Sequence, residues 1–186
     1  SAERGRRIRG AVGGRRHHAG QTGWAAKRFS AGDSSADEFL AKFTTARSAQ
    51  KVGHPMDPTT THGPLSSEAA LLKLIDQVDS AVAHGATLLM GGKRIDRPGS
   101  FMETTILTDI APHNPAFRDE FFGPVVSFYR VADEDEAVAL ANDSDFGLGG
   151  SVFTRDVARA KRTATQVTPP GARGQARHVD VCASTQ

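Results

Sequence analysis

Few side chains in this sequence combine the type and spacing that chemistry requires. Cys182 is the only thiol, so neither an intrachain disulfide nor a cysteine-based zinc site can form. It lies in a Pro/Gly/Arg-rich stretch without apolar periodicity, where a free, exposed thiol is expected. His17, His18, His54 and His62 invite a metal reading, but no carboxylate or ligand spacing organises them, and no metal is expected. Gly91-Gly92-Lys93 lacks the Gly-x4-Gly-Lys-Ser/Thr spacing of a phosphate loop and reads as a turn after a strand. Asp133, Glu134, Asp135 and Glu136 are acids at a helix start, where the helix dipole favours them.

The chain has 186 residues, 38% hydrophobic and 24% charged, with a formal net charge of +2. These values suit an ordinary globular domain with a core in mid-chain. No run approaches the roughly 20 apolar residues that span a bilayer, so a soluble, cytoplasmic protein without a membrane partner is expected. Six arginines crowd residues 1–20. They could meet phosphates, yet no aromatic precedes Trp24 to stack on bases, and no nucleic-acid partner is expected.

Composition divides the chain into three. Residues 1–23 form a basic, Arg/Gly/His-rich segment outside the domain pattern, residues 24–166 alternate helix and strand signals, and residues 167–186 form an irregular tail. Both ends carry too little apolar surface to offset the entropy of ordering. They also match what out-of-frame or truncated GC-rich coding sequence produces. Within the middle, Ser35-x-x-Glu38 offers a capping box for a helix over 35–49 carrying Phe39, Leu40 and Phe43. Pro55, Pro58 and Pro64 mark an extended connection. Ser66 or Ser67 can cap a second helix with a stripe of Leu71, Leu72, Ile75, Val78 and Val82, stopped by Gly85. Strands are expected at 87–90, 104–107, 125–131 and 151–154, with helices at 133–141 and 156–165. This alternation implies an α/β fold: a largely parallel open sheet with flanking helices and irregular ends. Such a domain would leave the apolar faces of its first two helices partly exposed, with marginal solubility.

Four stretches, in this order, resemble the aldehyde dehydrogenase family. They are Gly20-Gln21-Thr22-Gly23-Trp24-Ala25-Ala26-Lys27-Arg28-Phe29; Gly53-His54-Pro55 through Gly63-Pro64-Leu65; Glu120-Phe121-Phe122-Gly123-Pro124-Val125; and Asn142 through Phe146-Gly147-Leu148 to Val152-Phe153-Thr154. Gly91-Gly92-Lys93-Arg94 and Pro98-Gly99-Ser100-Phe101 are similar to the succinate-semialdehyde dehydrogenase branch. The resemblance implies a partial catalytic domain of an oxidoreductase that converts an aldehyde, succinate semialdehyde by that branch, to a carboxylate with NAD or NADP. It also implies subunits that form dimers or tetramers. In the family a cysteine thiolate attacks the aldehyde carbonyl. A backbone N–H and an asparagine amide hold the oxyanion, and a glutamate activates the hydrolytic water.

The departures from this pattern are specific. Gly23 stands at the nucleophile position and His18 at the oxyanion asparagine position. The segments that carry the general-base glutamate and the dinucleotide-binding domain would precede residue 1. Losing a catalytic nucleophile alone costs on the order of 10⁶ in rate, so no turnover is expected from this chain. By the same resemblance, Glu120 accepts from the nicotinamide-ribose hydroxyls and Phe122 packs against the nicotinamide side. Taken alone, Glu120 reads as a surface acid, and Phe121 and Phe122 as core residues. Gln21 would line the former catalytic loop, and Phe146-Gly147-Leu148 would shape a strand entry. A function of a different class, a non-catalytic module that pairs with a full-length aldehyde dehydrogenase subunit, fits the same residues.

Overall fold

A computed structural model describes residues 17–23, 25–154, 156–168 and 178–183. Its centre is a four-stranded sheet in the order β1 (Arg28–Gly32), β4 (Val125–Val131), β3 (Thr105–Thr108), β2 (Thr87–Met90). β1 and β3 both run parallel to β4, and β2 closes one edge antiparallel to β3. A separate parallel pair joins β5 (Gly149–Thr154) to β6 (His178–Ala183). The α/β architecture with a largely parallel sheet is therefore the one the alternation of elements predicts.

Side-chain alternation along β3 and β4 divides the core between the two faces of the sheet. Ile106, Val126 and Phe128 pack with Phe43 and Ala36 of helix α1 (Asp33–Ser48). Leu107, Val125 and Tyr129 pack with Leu71, Leu74 and Val78 of helix α2 (Glu68–Ala83), and with Phe117 of the short helix α3 (Pro115–Arg118). Helices α4 (Glu134–Asn142) and α5 (Val157–Gln166) adjoin β1 and the β5–β6 pair respectively. With apolar partners on both faces, every residue of β4 except Arg130 is buried, as a central parallel strand requires.

Local chemistry explains where several elements begin and end. Ser67 caps α2 by accepting from the Ala70 N–H at 3.1 Å, and Gly85 ends it with φ +98°. Asp133 and Asp156 cap α4 and α5 in the same way, accepting from Glu136 N and Arg159 N.

Four expectations need correction. The capping box at Ser35 does not form: α1 starts at Asp33, Glu38 pairs with Lys42 one turn on, and the Ser35 hydroxyl donates to the Gly32 carbonyl. The buried stripe of α2 is Leu71, Leu74, Val78 and Ala81, which leaves Leu72 and Val82 outward. β1 stands where the sequence left no element, since Arg28–Gly32 is defined by its pairing with β4 about a hundred residues on. Within the tail expected to be irregular, residues 178–183 pair along the full length of β5.

Candidate functional site

Gly23 lies in the turn that leads into β1, where the Ala25 N–H donates to the Thr22 carbonyl at 3.1 Å. A Cβ built on Gly23 would lie 2.7 Å from Leu148 Cδ1. Leu148, immediately ahead of β5, therefore leans over the position where a side chain at residue 23 would begin. Gln21 ties this turn to the chain ahead of α2: its amide nitrogen donates to the Pro64 carbonyl at 3.2 Å, and its amide oxygen accepts from Ser66 N at 2.7 Å. Both contacts hold the Gln21 side chain toward the Pro64–Ser66 segment.

The Glu120–Pro124 turn faces the same region. Phe121 is buried in the core beside α2, whereas Phe122 is 47% exposed. The two aromatics thus divide, one structural and one presented to solvent. A Cβ on Gly123 would meet Leu74 Cδ2 at 2.3 Å and Leu65 Cδ2 at 3.1 Å, so these core side chains would have to shift to admit one. The Pro124 carbonyl accepts from Thr105 N at 2.9 Å and from the Arg47 guanidinium at 2.6 Å. Arg47 is wholly buried in the last turn of α1, and that burial lowers its pKa to about 10.

Lys27 joins the two loops. Its ammonium pairs with Glu120 Oε1, lies 5.2 Å from the centre of the Phe122 ring, and reaches the Thr22 carbonyl at 3.5 Å. The side chains of the pair retain only 15% and 26% of their exposure. The Ala-Ala-Lys-Arg-Phe segment carries this lysine without any local sign of its role. Its distance in sequence from Gly23 was the available signal, but its partner is 93 residues away.

Other candidates separate. His18 falls in a 3₁₀ turn, His17–Gly20, ahead of Gly23, and its side chain lies outside the described residues. Cys182 sits on β6 opposite Phe153 in register. His54 is exposed and accepts from Met56 N, while His62 is buried. Among the described residues no group of three His, Cys, Asp or Glu side chains gathers to hold a metal, and no helix is long and apolar enough to cross a membrane. The expectations for residues 1–16 lie outside the described residues.

The site is thus a partly exposed carboxylate and a half-exposed aromatic ring that share one lysine ammonium. The model of the aldehyde dehydrogenase family matches residues 1–171. The chain belongs to the aldehyde dehydrogenase family.

Among family members, it is 48% identical over 160 residues to a succinate-semialdehyde dehydrogenase [NADP(+)] of Deinococcus radiodurans, covering 86% of this chain and 34% of that protein. A protein of the same description from Mycobacterium avium is 44% identical over 162 residues, covering 87% and 34%. Of solved structures, the succinic semialdehyde dehydrogenase of Streptococcus pyogenes in complex with NADP+ superposes with a TM-score of 0.85 at 37% identity, over 95% of this chain and 37% of that one. Gox0499, studied for cofactor and substrate selection, superposes with a TM-score of 0.88 at 46% identity, over 96% and 38%. The chain thus spans about a third of the length of the aldehyde dehydrogenases it matches. The family match takes in the Arg-rich first residues and stops short of β6.

Proposed function

We propose that this chain is the nicotinamide-side portion of a catalytic domain whose parent reaction is NADP-dependent oxidation of succinate semialdehyde to succinate, and that the chain by itself does not turn over. The observation that carries the reading is the pairing of an empty nucleophile position with a preserved cofactor-side turn. Gly23 has no side chain, and Leu148 lies where one would start, while Glu120 and Phe122 stand beside Lys27.

When bound, NADP would supply the hydride acceptor. Glu120 would accept from ribose hydroxyls, and Phe122 would cover the apolar edge of the nicotinamide side. The turn around Thr22–Ala25 would border the aldehyde. Without a thiolate at residue 23, no covalent bond to the carbonyl carbon forms, and the hydride has no tetrahedral intermediate to leave. Purified chain incubated with succinate semialdehyde and NADP+ should form no NADPH. Steady NADPH production that follows the protein through a final purification step would overturn the reading.

A second function, a non-catalytic module that pairs with a full-length aldehyde dehydrogenase subunit, draws support from outward apolar side chains. Leu72 and Val82 on α2, and Leu88 and Leu89 on the edge strand β2, are 37–56% exposed. Size-exclusion of the chain mixed with a purified full-length succinate-semialdehyde dehydrogenase distinguishes the two. Co-elution favours the module, and separate peaks count against it.

A further inference from the structure

We infer that Lys27 is a positioning residue, one that fixes the Glu120 carboxylate and the Phe122 ring against the Thr22–Gly23 turn and so holds the cofactor-side and aldehyde-side segments as one unit. The inference rests on the cofactor-side reading of Glu120 and Phe122 given above.

Three contacts converge on one ammonium: the Glu120 carboxylate, the Thr22 carbonyl and the Phe122 ring face. An ammonium has three donors and spreads its charge evenly, so it can serve a carboxylate and a carbonyl while facing a ring. A guanidinium is planar and would favour one of these directions. The stem of Lys27 is also anchored. Its carbonyl accepts from Ser127 N at 3.0 Å, which docks the residue on β4 immediately ahead of β1. Its neighbour Arg28 donates to the carbonyls of Phe117, Leu140 and Asp143 at 2.7–3.0 Å. Adjacent side chains at a strand entry point to opposite faces, so Arg28 fixes the strand from one side while Lys27 reaches the two loops on the other. The pair is mostly shielded from water, which strengthens its attraction.

The test uses the intact chain, isotope-labelled, with nicotinamide mononucleotide as the probe and the backbone amides of Thr22 and Gly23 as reporters in NMR. In the wild type, the probe should shift signals of Phe122 and of Thr22 and Gly23 together. Lys27→Met should weaken probe binding about five-fold, the scale of a partly exposed ion pair, and should abolish the response at Thr22 and Gly23. Lys27→Arg should recover the affinity in part. Wild-type affinity with an unchanged Thr22–Gly23 response in Lys27→Met would overturn the proposal. If the wild type does not bind the probe, the cofactor-side reading fails by itself. The Lys27 proposal is then decided by Glu120→Gln without ligand, which leaves the lysine in place and also serves if Lys27→Met does not fold. Displaced Thr22 and Gly23 amides in Glu120→Gln support the coupling, and amides at their wild-type positions refute it.

Discussion

The Cβ position of Gly23 and the Cδ1 atom of Leu148 lie 2.7 Å apart, so the residue immediately ahead of β5 overlies the place where a side chain at position 23 would begin. A thiol placed there meets the far end of a flexible side chain rather than backbone. Gly23→Cys should therefore fold, with Leu148 changing rotamer. The introduced thiol should react slowly with iodoacetamide, and faster in the double variant Gly23→Cys, Leu148→Ala. Equal alkylation rates in the two variants, measured by peptide mass spectrometry, would show that Leu148 does not cover the position.

Arg28 joins three backbone carbonyls from two helices and their ends, with its guanidinium 4.7 Å from the Phe117 ring centre and 5.4 Å from that of Tyr129. A lysine keeps the charge but cannot present a planar fork to three acceptors and two rings. Arg28→Lys should cost about 2 kcal/mol of stability, read as a lower urea midpoint. An unchanged midpoint would show that the carbonyls find other donors.

Arg47 behaves differently because its charge is dry. Only its bond to the Pro124 carbonyl is made, its Nε and Nη1 find no partner, and burial lowers its pKa to about 10. Replacing such a group by an apolar side chain of similar volume is often neutral or stabilising. Arg47→Met should unfold at the same urea concentration as the wild type or a higher one, since Pro124 keeps its bond from Thr105. A clear fall in the midpoint would refute this.

Gly91 adopts φ +74°, and a Cβ there would sit 2.3 Å from the Thr104 carbonyl oxygen. Backbone cannot yield as a side-chain tip does. Gly91→Ala should lower stability by about 2 kcal/mol or more, whereas Gly85→Ala, with nothing within 4 Å, should pay only the strain of its own φ. Thermal unfolding of the two variants side by side checks the ordering.

The Glu134 carboxyl is held below its ordinary value, first by the Thr163 hydroxyl and then by the Arg159 guanidinium. A folded-state pKa below the unfolded one means that ionised Glu134 contributes stability above the ordinary carboxylate value of 4.5. That contribution is lost as pH falls through the lower, folded-state value. The α4–α5 contact should loosen on acidification below that range. Urea unfolding of the wild type should weaken there more steeply than that of Glu134→Gln, and parallel pH profiles would sink the assignment.

Legibility in the sequence followed the range of the interaction. The ends of α2 were readable because Ser67 and Gly85 act within one turn of the residues they cap. The phase of its buried face was not. Hydrophobicity alone favoured Leu72 and Val82, but contact with Leu107 and Phe117 selects Leu74 and Ala81. At Ser35 a local signature lost to an equally local rival, the Glu38–Lys42 pair. β1 and β6 escaped notice because each is defined by a distant partner. The candidate site divides in the same way. Gly23, Glu120 and Phe122 stand within recognisable stretches, while the roles of Lys27 and Leu148 emerge only when loops far apart in sequence meet.

The pairing of Arg28 with Ser127 also has a consequence for biosynthesis. During translation β1 leaves the ribosome about a hundred residues ahead of β4, its strand partner among the described residues. At roughly 5–20 residues per second, that is a wait of roughly 5–20 s. Through that interval the backbone groups that pair with β4 wait for their partner, while Phe29 can already meet Phe43 of α1. A nascent chain of this topology is therefore a natural client for chaperones that shield an emerged strand until its neighbour in the sheet arrives.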